Sequence, residues 1–367
     1  MKNSRLIIIA AALLICAIGV MCIYSSTYQK EGRLWQDIYK RQIIWMALGI
    51  VFFFLLSNFN YRKLWDATYP LYAFVIFLLF LVFVLGLTRM GAQRWLRLFW
   101  FNFQPSEFAK LVMVIFLARY YSTKSAFDVG FSAGRLNLFK GLVLPLVLVM
   151  FPVGLIIEQP DLGSGVMVML IFMAVVFISG VKLRYIGSFL GLGLACIPVL
   201  WHYLRGYQKE RLMVFLNPNI DPLGAGYTVI QSKIAIGSGG IIGKGWLSGT
   251  QGQLRFLPEA HTDFIFATFA EEWGLLGCGV LLFLYYLIIS EGIRIGMRTN
   301  DAFAKLLAFG ISMMLGIQVL VNIAMNLGLA PVVGVPLLLM SYGGSSVFVT
   351  FIALGILANM DKQRSMF

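Results

Sequence analysis

The stretch FLPEAHTDFIFATFAEEWG, residues 256–274, crowds Glu259, His261 and Asp263 into five positions directly before an apolar run that carries Glu271 and Glu272. A carboxylate at a helix start is stabilised by the helix dipole and by free amides, so capping is one explanation for Asp263. Capping does not require the crowding. Partial desolvation beside apolar residues raises a carboxylate's proton affinity and makes it a better base. A single such carboxylate suits one task well, the deprotonation of an attacking hydroxyl. Along a helix Glu271 lies roughly 12 Å from Asp263, too far to serve as a paired acid. Glu271 and Glu272 therefore read as buried hydrogen-bonding residues.

Three other stretches place polar groups where an apolar chain should avoid them. In GAQRWLRLFWFNFQPSEFAK, residues 91–110, Arg94 and Arg97 lie in a loop, and Glu107 and Lys110 follow Pro105 at the start of a span. Pro105 suits a first helical turn. Glu107 and Lys110, three residues apart, fit an ion pair on one face, and Lys110 equally fits a substrate-facing cation. In EQPDLGSG, residues 158–165, Asp161 reads as a cap or turn residue, with a catalytic role as the sharper alternative. In LGLAPVVGVPLLLMSYGGSS, residues 327–346, two prolines and paired glycines interrupt membrane-depth sequence. Irregular backbone at that depth is tolerated where it is buried in protein or lines a cavity, and Ser341 and Ser345 offer hydroxyls to such a lining.

One base, several cations and a polar cavity open to lipid suit a membrane-borne phosphoanhydride substrate. Lys110, Arg94, Lys233 and Arg255 are the candidates to steady a departing diphosphate. Glycosyl transfer with inversion needs one general base and electrostatic help for the leaving group. A divalent cation, Mg or Mn, would assist that departure, although no ligand set is readable. Transport is the competing use of broken helices and mid-membrane charge.

The elements that must position these residues are membrane helices. The 367-residue chain is 60% hydrophobic and 12% charged, far from the composition of a soluble domain. Its apolar residues come in runs near the roughly 20 residues that cross a bilayer. The expected fold is all-α, with ten spans at 6–24, 42–57, 69–88, 104–121, 141–157, 165–181, 186–204, 263–290, 305–327 and 346–360. The first run follows Lys2 and Arg5, but no small-residue cleavage site follows it, so it reads as a retained anchor. Lys and Arg number 15 on the side of the termini and 7 in the short loops opposite, which puts both termini in the cytoplasm. The net charge of +13 is then topogenic, and nucleic acid is not an expected partner.

One long extracytoplasmic loop, 205–262, precedes the eighth span. Its nine glycines between Gly224 and Gly252 make it turn-rich, with a short amphipathic helix expected over 227–236. Within it SGGIIGKG fails as a phosphate loop, since Ser238 stands where the first glycine belongs and Gly245 where Ser or Thr does. The four cysteines lie in apolar runs without metal or redox spacing.

The runs GAQRWL, QPSEFAK, EQPDLGSG, FLNPNIDPLGAGY, QSKIAIGSGG, GKGW, GTQ, FLPEAHTDFIFA, EEWG and GVPLLLMSYGGSS, in this order from about 91 to 346, together resemble the SEDS family (shape, elongation, division, sporulation). Asn217-Pro218, IAIGSGG, GKGW and GTQ are most similar to its elongation branch. The resemblance implies a ten-span bacterial inner-membrane glycosyltransferase, active on the extracytoplasmic face, that polymerises lipid II. It implies a class B penicillin-binding protein transpeptidase as partner, alongside other elongation-complex membrane proteins. The family's essential aspartate matches Asp263, its Glu and Lys match Glu107 and Lys110, and its loop Arg-Trp matches Arg94 and Trp95. Glu259 and His261 would tune or position Asp263. Where the family usually has Pro-Leu-Pro, this chain reads Pro336-Leu337-Leu338. Two other functions keep the same fold, a flippase for a lipid-linked precursor and a scaffold that only recruits the partner.

Overall fold

The structure, a computed structural model, describes residues 4–28, 37–89, 92–98, 101–125, 138–222, 224–254 and 256–364. Arg255 lies outside the described residues, as do Lys2, Lys30, Arg33 and Arg135 of the charge count. The chain opens with α1 (Ser4–Thr27), α2 (Ile38–Asn58) and α3 (Arg62–Leu85). A small antiparallel sheet follows, of β1 (Gly86–Arg89), β2 (Ala92–Leu98) and β3 (Phe101–Phe103) in that order. Then come α4 (Pro105–Ser125), a π-helical turn Phe139–Val143 that leads into α5 (Leu144–Glu158), and α6 (Leu162–Ile178). Next are α7 (Leu183–Ala195), α8 (Ile197–Tyr203), α9 (Gly206–Leu216), α10 (Ala225–Gly239) and the single turn α11 (Thr250–Gln253). The chain closes with α12 (Ile265–Arg298), α13 (Ala302–Asn326) and α14 (Gly344–Arg364).

The protein is predominantly helical, and each of the ten expected spans falls on helix. Among the described residues, seven helices are long and apolar enough to cross a membrane. Two departures from the expected fold are clear. The expected all-α architecture is broken by the sheet: the span expected to reach 88 ends at Leu85, and Gly86 begins β1. Cross-strand pairing of Leu87 with Trp95 and of Leu96 with Phe103 satisfies backbone groups that a simple loop would leave open. Within 205–262, the expected turn-rich segment is largely helical. Gly226, Gly237 and Gly239 lie inside α10, which extends beyond the expected 227–236 at both ends.

The core is continuous through α1, α4, α6, α12, α13 and α14. By contrast α7 buries none of its residues, and its exposed Leu190, Leu192 and Leu194 face outward, as a lipid-facing helix requires.

Two irregular stretches matter for the site. The first lies within α12, where Gly274 takes φ 63° and ψ −164°, a backbone that only glycine adopts without strain. The break orphans amides and carbonyls on either side, and the chain at 240–245 docks into it. Leu275 and Leu276 donate to the carbonyls of Gly240 and Ile241, at 2.9 and 3.1 Å. In return Lys244 and Gly245 donate to the carbonyls of Glu271 and Glu272, each at 3.0 Å.

The second is 327–343, the interrupted stretch before α14. Four of its carbonyls are each met by a side chain from a neighbouring helix. Tyr285 donates to Leu338 (2.6 Å), Gln318 to Pro336 (3.1 Å), Asn322 to Val335 (2.8 Å) and Gln42 to Ser341 (3.1 Å). The shape of this stretch is thus held by side chains from three helices around it, α2, α12 and α13.

Candidate active site

Asp263 closes a tight turn that begins at Glu259 and ends where α12 starts. Glu259 is left-handed, with φ 52°, and its carbonyl accepts from Thr262 at 3.0 Å and Phe264 at 3.4 Å. Thr262 Oγ1 also donates to the Glu259 carboxylate, at 2.9 Å. Two walls grip this turn. On one side, the side-chain amides of Asn322 and Asn326 on α13 both donate to the backbone oxygen of Asp263 (2.9 and 3.0 Å). Asn326 Oδ1 also accepts from Ala267 N at 3.2 Å in the first turn of α12, an amide shared with the Phe264 carbonyl at 3.1 Å. On the other side, Ser341 Oγ donates to Thr262 O at 2.6 Å and Tyr342 N donates to His261 O at 2.9 Å.

The Asp263 carboxyl, half-buried, is raised from 3.8 to about 6, first by burial and then by the Glu259 charge; Arg211 and Arg94 pull it down, and Asp161 pushes it up. A base with this value is mostly ionised at neutral pH, yet holds a proton far better than an exposed aspartate. The chain at Gly334 backs it closely: a β-carbon there would lie 3.5 Å from Asp263 Oδ2.

The expected site residues divide into those that face Asp263 and those already occupied. Glu259 and Arg94 act on its charge. Arg94 is also held by the carbonyls of Pro160 and Gln159, and its guanidinium is 3.9 Å from Asp161. Asp161 takes the capping role, accepting from Ser164 N at 3.2 Å at the start of α6. It also accepts from Ser106 Oγ and Gln104 Nε2, at 3.0 and 3.1 Å, so it ties α4 to α6 beneath Arg94. Trp95 is half-buried in β2. His261 is buried, its ring 6.1 Å from that of Tyr342. Lys233 is exposed on α10.

Lys110 and Glu107 are buried and paired with each other. Lys110 is 2% exposed and Glu107 4%, and the ammonium is held by Glu107 Oε1 at 2.8 Å and Gln318 Oε1 at 2.7 Å. Of the two readings of Lys110, the internal pair is the one built. Ser341 and Ser345, expected to line a cavity, are also buried and committed to backbone. Ser341 accepts from Leu337 N at 2.8 Å, and Ser345 accepts from Gln104 N at 3.0 Å. Their hydroxyls join segments rather than open onto a cavity, because the irregular backbone around them has donors and acceptors to satisfy.

The deeper acids brace the loop. Glu271 is fully buried and accepts from Lys244 Nζ (2.7 Å), Thr250 N (2.9 Å), Thr250 Oγ1 (2.8 Å) and Gln251 N (3.1 Å). It caps α11 from below, which gives GKG and GTQ a structural use. Glu272 accepts from Ser25 on α1. Among the described residues, no three His, Cys, Asp or Glu side chains converge as a metal site.

Four residues at the site escaped the sequence: Arg211, Gln318, Asn322 and Asn326. The last three recur at i, i+4 and i+8 on apolar α13, which places them on one face. That stripe of buried amides is a readable signal. Arg211 carries none, since it is one of four charged residues between Arg205 and Arg211 and nothing local says which one faces inward.

The family model described as "Cell cycle protein", for FtsW, RodA and SpoVE, matches residues 5–366. The peptidoglycan glycosyltransferase MrdB of Escherichia coli strain K12 is 43% identical over 365 residues, covering 99% of this chain and 94% of that protein. The probable peptidoglycan glycosyltransferase FtsW of Geobacter sulfurreducens is 35% identical over 370 residues, with coverage of 99% and 96%. Among solved structures, a chain of a peptidoglycan synthase complex that coordinates polymerization and crosslinking aligns with a TM-score of 0.79 and 34% identity, over 98% of both chains. The rod shape determining protein RodA of Thermus thermophilus aligns with a TM-score of 0.70 and 30% identity, over 97% of this chain and 96% of that one.

Proposed function

The chain belongs to the FtsW/RodA/SpoVE family of cell cycle proteins, and from that premise we propose that it is a peptidoglycan glycosyltransferase that polymerises lipid II during cell elongation. It is a multi-pass protein of the bacterial inner membrane. Its partner is a class B penicillin-binding protein, which supplies the crosslinking. The ten helical segments and the excess of Lys and Arg beside the termini support ten spans, cytoplasmic termini and an active site on the outer face.

The observation that carries the mechanism is Asp263, half-buried, raised to about 6 and within the electrostatic influence of Arg211 and Arg94. Its carboxylate takes the proton of the acceptor sugar's hydroxyl. That oxygen attacks the anomeric carbon of the donor from the face opposite the leaving group. The bond from the anomeric carbon to the diphosphate oxygen breaks, its electron pair leaves with undecaprenyl diphosphate, and the new glycosidic bond is inverted. The turn that carries Asp263 is fixed through three backbone carbonyls, so little reorganisation is needed at the moment of transfer.

The test is polymerisation of lipid II by the purified chain with its transpeptidase in detergent. Asp263→Asn and Asp263→Ala lose polymerisation and keep partner binding; full activity in either overturns the assignment. Polymer formed in detergent also excludes a pure flippase, which needs two compartments, and a pure scaffold.

A further inference from the structure

Arg211 and Lys233 reach the same turn from two different helices. Arg211, on α9, lines a small recess with Val214, Val229, Gly328, Pro331 and Val332. Lys233, on α10, lays its stem across Gly328, its Cε close against the place where a β-carbon there would sit. Gly328 ends α13 in the left-handed region, φ 69°, a backbone that favours glycine. Helix α10 is pinned there, since Ser232 Oγ donates to Asn326 O at 2.7 Å.

The turn then runs on to Gly334, which backs the Asp263 carboxylate. One short segment thus carries two cations on one flank and the base on the other. The other cations near the site are committed elsewhere: Arg94 lies against Asp161, Lys110 against Glu107 and Lys244 against Glu271. No ion pair among the described residues includes Arg211 or Lys233. Of the positive charges that act on Asp263, Arg211 acts most strongly.

We propose that Arg211 and Lys233, converging on the Gly328 turn, form the cradle for the diphosphate of a polyprenyl-diphosphate-linked donor. This rests on the glycosyltransferase reading above. The guanidinium fork matches two phosphate oxygens at once, whereas the lysine adds a point charge. As the anomeric C–O bond breaks, negative charge grows on the diphosphate oxygen, and cations already in place stabilise it without reorganisation. The apolar wall of Val214, Val229 and Val332 suits the first isoprene units beyond the diphosphate.

The experiment is steady-state polymerisation in detergent by the chain with its transpeptidase, using lipid II as substrate and inorganic pyrophosphate as a competing probe. Arg211→Ala raises the KM for lipid II and the half-inhibitory pyrophosphate concentration by roughly tenfold or more, as expected for one charge-assisted contact. Arg211→Lys recovers part of the loss, and Lys233→Ala shows the same pattern more weakly. Lys209→Ala, on the same helix, changes neither value. Wild-type KM and wild-type pyrophosphate inhibition in both alanine variants overturn the cradle and leave the glycosyltransferase reading standing, whereas a wild-type chain that makes no polymer overturns that reading itself. Should Arg211→Ala misfold, as shown by a lowered unfolding temperature, exposed Lys233 decides the question alone.

Discussion

The side-chain amides of Asn322 and Asn326, one helical turn apart, converge on a single acceptor, the backbone oxygen of Asp263. Each also does a second task. Asn322 holds Val335 and Asn326 serves Ala267. Removing Asn322 leaves the Val335 carbonyl without its side-chain donor, at about 1–3 kcal/mol, and removing Asn326 takes away one of two donors to the Asp263 oxygen. Asn322→Leu and Asn326→Leu each lower the unfolding temperature in detergent and cut polymerisation turnover by about tenfold or more, as a misplaced base requires. Thermal unfolding and turnover measured on the same preparations check both effects.

Acid should silence the enzyme earlier than an ordinary aspartate would. With the Asp263 carboxyl at about 6 rather than 3.8, activity falls as the pH drops through about 6, because the protonated acid accepts nothing. The sign for stability is opposite. Between 3.8 and about 6 the folded chain holds a proton that the unfolded chain has released, so stability falls as pH rises through that window. Asp263→Asn is therefore more stable than wild type at neutral pH, by on the order of 1–3 kcal/mol, and the gap closes below about pH 4. A pH–rate profile and paired unfolding curves test the two signs separately.

Lys110→Ala leaves Glu107 buried and unpaired, and destabilises by about 3–5 kcal/mol. The double variant Glu107→Gln with Lys110→Met recovers much of that loss. A Lys110→Ala variant with wild-type unfolding and lost activity would return the lysine to the substrate.

Glu271→Ala removes the acceptor for two amides, a hydroxyl and Lys244. The expected result is a loosened 240–258 segment, seen as faster proteolysis there, with polymerisation reduced through the displaced Asp263 turn. Glu271→Gln keeps one acceptor oxygen and falls between wild type and Glu271→Ala.

Asp263 was legible because its type, its crowding and its place before an apolar run are all local. The helices were legible for the same reason. The sheet was not, since GLTR, AQRWLRL and FNF are short and their stability comes from pairing across the chain. Lys110 shows the limit most plainly. Spacing three from Glu107 fits both an internal pair and a substrate-facing cation, and the residue that decides, Gln318, is 208 positions away. Ser341 and Ser345 mislead for a related reason: a serine in broken membrane sequence serves the backbone as readily as a cavity.

The break at Gly274 also settles a problem of height. An unbroken helix over 265–298 would be about 51 Å long, against a hydrocarbon core of about 30 Å. The stretch 275–298 alone is about 36 Å and already suffices. On the function proposed above, the bend frees the first turns of α12 from the task of crossing, so that Asp263 sits level with the lipid headgroups instead of clear of them. A bond between sugar and diphosphate lies at that level, because its lipid tail cannot leave the bilayer. The glycine thus sets the working altitude of the base.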